Sequence, residues 1–572
     1  METKRLIFVI LLSMAVVFGW NIFLSEMGKR NNWVNPNQPQ TQPVVQPQAA
    51  ASTNTPVMSG VENPPAGVTG VTGEMRVLNA SSITSDALLG SNIKDDPTWA
   101  MGLETSGQGA SISRITLNEF PRDVKRKATY VFQETPAVGA ASMATLWVEI
   151  NKQHIDLSKA RWTLARREPN FCDYTVDIGK DQPLLRIHKI IELTPRNNAK
   201  GSPATAGYQV DIRHKVENLS NDVIEAQFGL AGPTMLPREV DRGPDRYVLA
   251  AYNDDPQYPT PLLKPVSWDV MTLTGDKQRL NIEKSKEGWP VIWAGMTSTY
   301  FDAIVYPVAS GDNRVTAGFM SNVQARSVDP SAVAANIQVE LLFTTKLLRI
   351  EAQKPAEFTM EVFFGPKMRS LVKNDYYGKY PRQFDLTLST TSSCAWCTFP
   401  WLVNAMVMLL RGLHFIVRDW GLAIIGLVLV VRLVLHPLTR KSTISMHKMQ
   451  KLAPEMERIK KKHADNPAEL NRAMMQFYKE HGASQIVGCL PMFLQMPIWV
   501  ALWSALQGTF ELRLAPFLWG FTWIKDLAKP DHLITFPPTR QHCVSCTWPS
   551  VSAASKPKPW PRSCSCWLGC PN

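Results

Sequence analysis

The chain has 572 residues, 45% of them hydrophobic, and its mean hydropathy of −0.13 excludes a protein embedded in lipid throughout and confines any membrane character to a few segments. A net charge of +12 fits nucleic acid, anionic lipid or a positive-inside loop, and its position along the chain must decide between them. Of nine cysteines, five (Cys543, Cys546, Cys564, Cys566, Cys570) crowd into the last thirty residues, so the rest is not a disulfide-built fold.

Lys4 and Arg5 precede residues 6–24, an uncharged run of 19 residues, about the length of one bilayer crossing. No small-residue cleavage site follows at Gly19-Trp20-Asn21, so an uncleaved anchor with a cytoplasmic N-terminus is expected. Residues 31–73 hold seven prolines, five glutamines and no Lys or Arg. Such a segment cannot bury enough surface to offset its ordering entropy and reads as a disordered linker.

From residue 74 to 387 the texture changes to short alternating runs. Tyr208, Val210, Ile212 and Val216 share one side of a period-2 pattern, as do Phe358, Met360, Val362 and Phe364. Residues 300–308 and 336–350 are further strand candidates, bounded by turn residues. The spacing predicts a large antiparallel β-sandwich, placed in the periplasm by the orientation of the first span.

Residues 401–417 are apolar on much of their surface but carry Asn404, Arg411 and His414, which favours a helix lying along the membrane interface. Residues 420–438 are apolar except for Arg432 and His436 and predict a span running inward, because basic residues follow. Residues 439–485 carry ten Lys or Arg against five Asp or Glu. Met449, Leu452, Met456 and Ile459 form one helical stripe there. Asn466-Pro467-Ala468-Glu469 starts a second helix whose stripe is Leu470, Met474 and Phe477, giving a cytoplasmic helical hairpin. Residues 486–507 predict a further span, kinked at Pro491 and Pro497. Residues 508–536 return to the periplasm.

Arg432 stands 12 residues beyond Trp420, about 18 Å into the bilayer at helical rise. A guanidinium near mid-bilayer costs roughly 3 kcal/mol on insertion scales. Snorkelling to the inner interface is one reading; a water-filled groove that attracts acidic residues of an incoming chain is the other. Gln495 could add polar lining, or serve as helix–helix glue. The hairpin methionines suit either an adaptable receiving surface or ordinary packing. No P-loop, dinucleotide-binding glycine pattern or nucleophile elbow is present, no cofactor or metal is expected, and the inside loop explains the basic charge without nucleic acid.

The stretches Val430-Val431-Arg432-Leu433-Val434-Leu435-His436-Pro437-Leu438, Met446-His447-Lys448-Met449, Leu490-Pro491-Met492-Phe493-Leu494-Gln495-Met496-Pro497 and Glu511-Leu512-Arg513-Leu514-Ala515-Pro516-Phe517 together resemble the YidC-type membrane protein insertases. The resemblance implies a multi-pass α-helical membrane protein with a large periplasmic antiparallel β-sandwich of mutarotase-like type and a cytoplasmic helical hairpin. It implies a non-enzymatic insertase of the inner membrane. Arg432 and Gln495 would line its hydrophilic groove, Met492, Met496, Pro497 and Trp499 would form a client slide, and Met449, Met456, Met474 and Phe477 would face the hairpin's partners. Implied partners are nascent membrane proteins, the Sec translocon, the ribosome, the signal-recognition receptor and anionic lipids.

Two alternatives remain: a membrane-anchored carbohydrate-binding or sugar-modifying sandwich, and a scaffold for the translocon. The family pattern carries two more spans after Phe517, whereas residues 537–572 form a Cys- and Pro-rich tail. A frame shift or truncation is the expectation there. The metal-like spacing of its cysteines and the Cys394/Cys397 pair are discounted as sites.

Overall fold

The computed structural model describes residues 75–79, 85–125, 127–196, 206–239, 245–253, 263–273, 278–308, 320–329, 337–389, 399–462, 469, 470, 473 and 484–529. The expected anchor at 6–24, the linker and the tail lie outside the described residues.

The alternating segments form antiparallel sheets of ten, seven and four strands. In the ten-stranded sheet, Gln209–Asn218 pairs with both Pro183–Leu193 and Pro355–Pro366, and Pro355–Pro366 pairs in turn with Phe301–Val308. The two period-2 patterns thus lie side by side, with Val210 opposite Val362 and Ile212 opposite Met360. Their shared face is the core. Phe358 meets Phe228 of the seven-stranded sheet at 5.5 Å between ring centroids, and Phe364 meets Phe132 of the four-stranded sheet at 5.8 Å. The opposite face is covered as well. Phe363 packs on Tyr377 and Phe384 from the chain that follows the last strand. Strands Arg246–Asn253 and Val291–Ser298 are therefore buried along their whole length, which explains why they read as continuous apolar runs rather than alternating ones.

Two polar clusters sit inside this core. Lys367 and Asp302, both almost wholly buried, face each other at 4.0 Å. Lys367 Nζ donates to Thr297 Oγ1 at 3.0 Å, and Thr387 Oγ1 donates to Asp302 at 2.7 Å. This cluster ties the end of the last long strand to the chain leaving the sandwich. Burial raises the Asp302 carboxyl and lowers the Lys367 ammonium from their ordinary values. In the second cluster, Lys189 stands opposite His214 on neighbouring strands, and both are fully buried. Lys189 Nζ donates to Thr145 Oγ1 at 3.1 Å, and the His214 ring stacks on Phe358 at 4.6 Å. Burial brings Lys189 down to about 7 and His214 well below its usual 6.5, with the Lys189 charge adding to the effect. Nearby, burial pushes the Cys172 thiol up to about 12.

Helix α1 covers Pro400–Val417, α2 Trp420–Lys462 and α3 Ser484–Gln507. The expected boundary between span and hairpin at residue 438 is not a break: α2 runs through it for 43 residues. Pro437 and Pro454 each remove one backbone donor, and two separated lost bonds do not end a helix whose intervening turns are intact. Among the described residues one helix, over Trp420–Pro437, is long and apolar enough to cross a membrane, and α1 holds a shorter apolar stretch, Trp401–Val417.

The second polar cluster gives the sandwich a pH dependence of defined sign. Both groups bind protons more weakly folded than unfolded, so the stability they contribute is present above their unfolded pKa values and lost as pH falls. Stability should rise between about pH 7 and 10.5 as Lys189 is neutralised first in the folded state, by at most about 1.4 kcal/mol per pH unit. It should fall again below about 6.5 as His214 resists protonation. Thermal unfolding of the chain in detergent across this range measures both, and Lys189→Met should flatten the upper limb.

Candidate functional site

The three helices pack through small contacts. Leu410 of α1 and Ala423 and Leu427 of α2 are fully buried together, and Ala501 and Ala505, one turn apart on α3, are buried too. Alanine at both positions brings the α3 backbone close to its neighbours at that end. The opposite side of α1 stays open, with Met408, Phe415 and Ile416 each about three-quarters exposed.

Farther along α2, away from the alanines, the helices part around a cleft of about 470 Å³. Residues recurring every three or four positions line it: Val428, Val431, Arg432, Leu435, His436 and Thr439 from α2, and Gln495, Ile498, Trp499 and Leu502 from α3. Arg432 and Gln495 are exposed, so their polar groups are not sealed in protein. Among the described residues Arg432 has no ion-pair partner. The cleft is amphipathic, with one permanent cation and one amide set among aliphatic and indole surfaces.

Of the expected slide residues, Trp499 lines this cleft. Met496 is 57% exposed, Pro497 is half-buried, and Trp499 lies nearly parallel to Trp503 one turn on, at 6.3 Å. The side chains of Met449, Met456 and Met492, and the whole of Met474 and Phe477, lie outside the described residues.

The chain after α3 clasps both helices and sandwich. Glu511 pairs with Arg411 of α1, which gives that arginine a partner the sequence did not reveal. Arg513 Nε donates to Glu239 at 2.8 Å, both side chains 7% exposed. The Arg513 guanidinium also lies over the rings of Tyr130 and Phe301, at 4.8 and 5.3 Å, while Phe510 meets Phe120 and Phe301 edge-on. The Tyr130 hydroxyl donates to Glu239 as well; burial, then this carboxylate, holds the phenol well above its ordinary pKa. Asp526 receives the Leu514 N–H at 2.9 Å and closes the segment. A second cleft, of about 430 Å³, lies on the seven-stranded sheet around Trp147, His154, Asp156 and Arg326.

The YidC periplasmic domain family model matches residues 98–390, and the 60Kd inner membrane protein family model matches residues 412–555. The first alone spans more than half of the sequence. The chain belongs to the YidC family. The second match places it among inner-membrane proteins. A membrane protein insertase YidC of Anaeromyxobacter sp. (strain Fw109-5) is 34% identical over 247 residues, 43% of this chain and 40% of that relative. One of Syntrophobacter fumaroxidans is 24% identical over 451 residues, 77% of this chain and 71% of the relative. The chain thus aligns with about two-fifths of the length of the more identical of these two curated relatives. Among solved structures, an active YidC insertase covers 79% of this chain at 15% identity and a TM-score of 0.23. A galactose mutarotase related enzyme from Lactobacillus acidophilus covers 49% of this chain and 97% of its own length, at 10% identity and a TM-score of 0.33.

Truncating one member of the Arg513–Glu239 pair strands a buried charge. Arg513→Ala should cost about 3–5 kcal/mol and lower the unfolding midpoint of the sandwich. Arg513→Met with Glu239→Gln should recover much of that loss. Denaturant unfolding in detergent, followed by tryptophan emission, separates the two outcomes.

Proposed function

We propose that this chain is a membrane protein insertase that moves hydrophobic segments and short polar tails of client proteins into the inner membrane, alone or beside the Sec translocon, without catalysing a covalent reaction. The single observation that carries the reading is the meeting of Arg432 and Gln495 in one cleft between α2 and α3, bordered by Trp499. A cation at membrane depth is tolerated where water reaches it. Its exposure in an otherwise apolar helix pair supports a hydrated groove over a dry helix contact.

In this reading the chain is multi-pass. Its N-terminus and the basic residues 439–485 are cytoplasmic, where ribosome, signal-recognition receptor and anionic lipid headgroups would meet the positive charge. The sandwich is periplasmic. An acidic tail entering the cleft exchanges some hydration for the Arg432 charge, which lowers the barrier to its crossing. The client's apolar segment leaves along the exposed face of α3 at Met492, Met496, Pro497 and Trp499, and the hairpin at Met449, Met456, Met474 and Phe477 receives it first. The names of the relatives favour this reading over a sugar-binding sandwich.

Insertion into proteoliposomes tests it. Arg432→Ala should reduce insertion of a client with an acidic N-terminal tail about ten-fold, equivalent to about 1.4 kcal/mol, and change little for a client whose tail is neutral. Arg432→Lys should retain most activity. Full insertion of the acidic client by Arg432→Ala would remove the groove mechanism.

A further inference from the structure

The turn at residues 518–523 makes no sense as a soluble loop. Leu518, Trp519 and Gly520 are three consecutive residues in the left-handed region, with φ of 48, 52 and 89°, and only the glycine adopts it without strain. The strained backbone turns its apolar side chains outward: Trp519 is 59% exposed, Phe521 92% and Trp523 56%. Polar groups of the same segment bond back to its own backbone. Thr522 Oγ1 donates to Phe517 O at 3.0 Å, and Lys525 Nζ donates back to Gly520 O. Three large aromatic side chains within five residues are thus left without protein cover.

The turn is also bolted to one place. Asp419 Oδ2 accepts the Trp519 N–H at 2.9 Å, while Oδ1 of the same carboxylate accepts the Leu422 N–H at 2.9 Å in the first turn of α2. Phe517 lies so close to Gly421 that a Cβ there would fall 2.1 Å from its ring. The turn therefore sits at the residue where the apolar span Trp420–Pro437 begins. That is the depth at which indole and phenyl rings partition into the headgroup and glycerol region.

We infer that this aromatic turn is a lipid anchor that inserts into the leaflet in which α2 begins and fixes the depth of the helix in the bilayer. The ligand is the phospholipid surface itself, and the proposal rests on the reading of α2 as a span.

The test compares the full chain with a Trp519→Phe/Trp523→Phe variant in vesicles of phosphatidylethanolamine and phosphatidylglycerol. The difference between their emissions reports the two indoles. Replacing part of the lipid with one brominated at shallow acyl carbons should remove roughly half of that difference, as for rings at the interface, and aqueous iodide should remove little. Phe521→Glu, at a position too exposed to affect folding, should weaken the lipid quenching. Three results would overturn the anchor: no bromine quenching, free quenching by iodide, or shielding that appears only when a client polypeptide is added. Labelling by a membrane-impermeant maleimide of Arg418→Cys and Arg440→Cys, each made in a background free of other cysteines, separates the two levels of failure. Labelling on opposite sides without bromine quenching defeats the anchor alone, whereas labelling of both cysteines from the same side defeats the spanning reading of α2 and the anchor with it.

Discussion

One buried ion pair holds the two halves of this molecule in register. Glu239 comes from the sandwich and Arg513 from the chain just beyond α3, and 274 residues separate them. Neither group could be taken from water alone without a cost of several kcal/mol. The ion pair itself forms only when sandwich and helices meet. The aromatic rings of Tyr130, Phe301 and Phe510 exclude water around the pair, so the junction is closer to a small core than to a surface contact. A flexible tether would have needed none of this.

The motif Glu511-Leu512-Arg513-Leu514-Ala515-Pro516-Phe517 acquires a physical meaning from the same junction. Glu511 neutralises Arg411 of α1, Arg513 reaches the sandwich, Leu514 takes a left-handed turn closed by Asp526, and Phe517 seats against Gly421 of α2. Seven residues following α3 thus bind two helices and a β-domain. The motif is a fastening, and its chemistry is distinct from that of the cleft between α2 and α3, where the polar groups have been left open.

Much of the architecture was legible in the sequence because it follows from periodicity. The alternation in residues 208–216 and 358–364 reads directly as two strands, though not as neighbours, and a lone arginine in an apolar helix announces itself by its cost. Gln495 could be paired with Arg432 only because few other polar groups lie at that depth. The Lys189–His214 cluster was hidden, since both positions fall on the inward side of patterns whose remaining members are apolar. The Glu239–Arg513 pair was hidden by sequence separation, and the strained turn because leucine and tryptophan do not advertise left-handed backbone. The continuity of α2 was obscured by Pro437, which looks like a terminator in water and is tolerated in a helix whose neighbours supply the packing.

That continuity has a mechanical consequence. Forty-three residues of helix extend about 65 Å, roughly twice the thickness of a hydrocarbon core. With its first turn held by the loop at Asp419, α2 is a lever that pivots about Pro437, the first of two prolines, with Pro454, at which its hydrogen-bond ladder lacks a donor. A bend of about 10° there would sweep the far tip through roughly 6 Å, given about 1.5 Å of rise for each residue beyond the pivot. A push on the distal arm and widening of the cleft beside Arg432 would then be two ends of one rigid displacement.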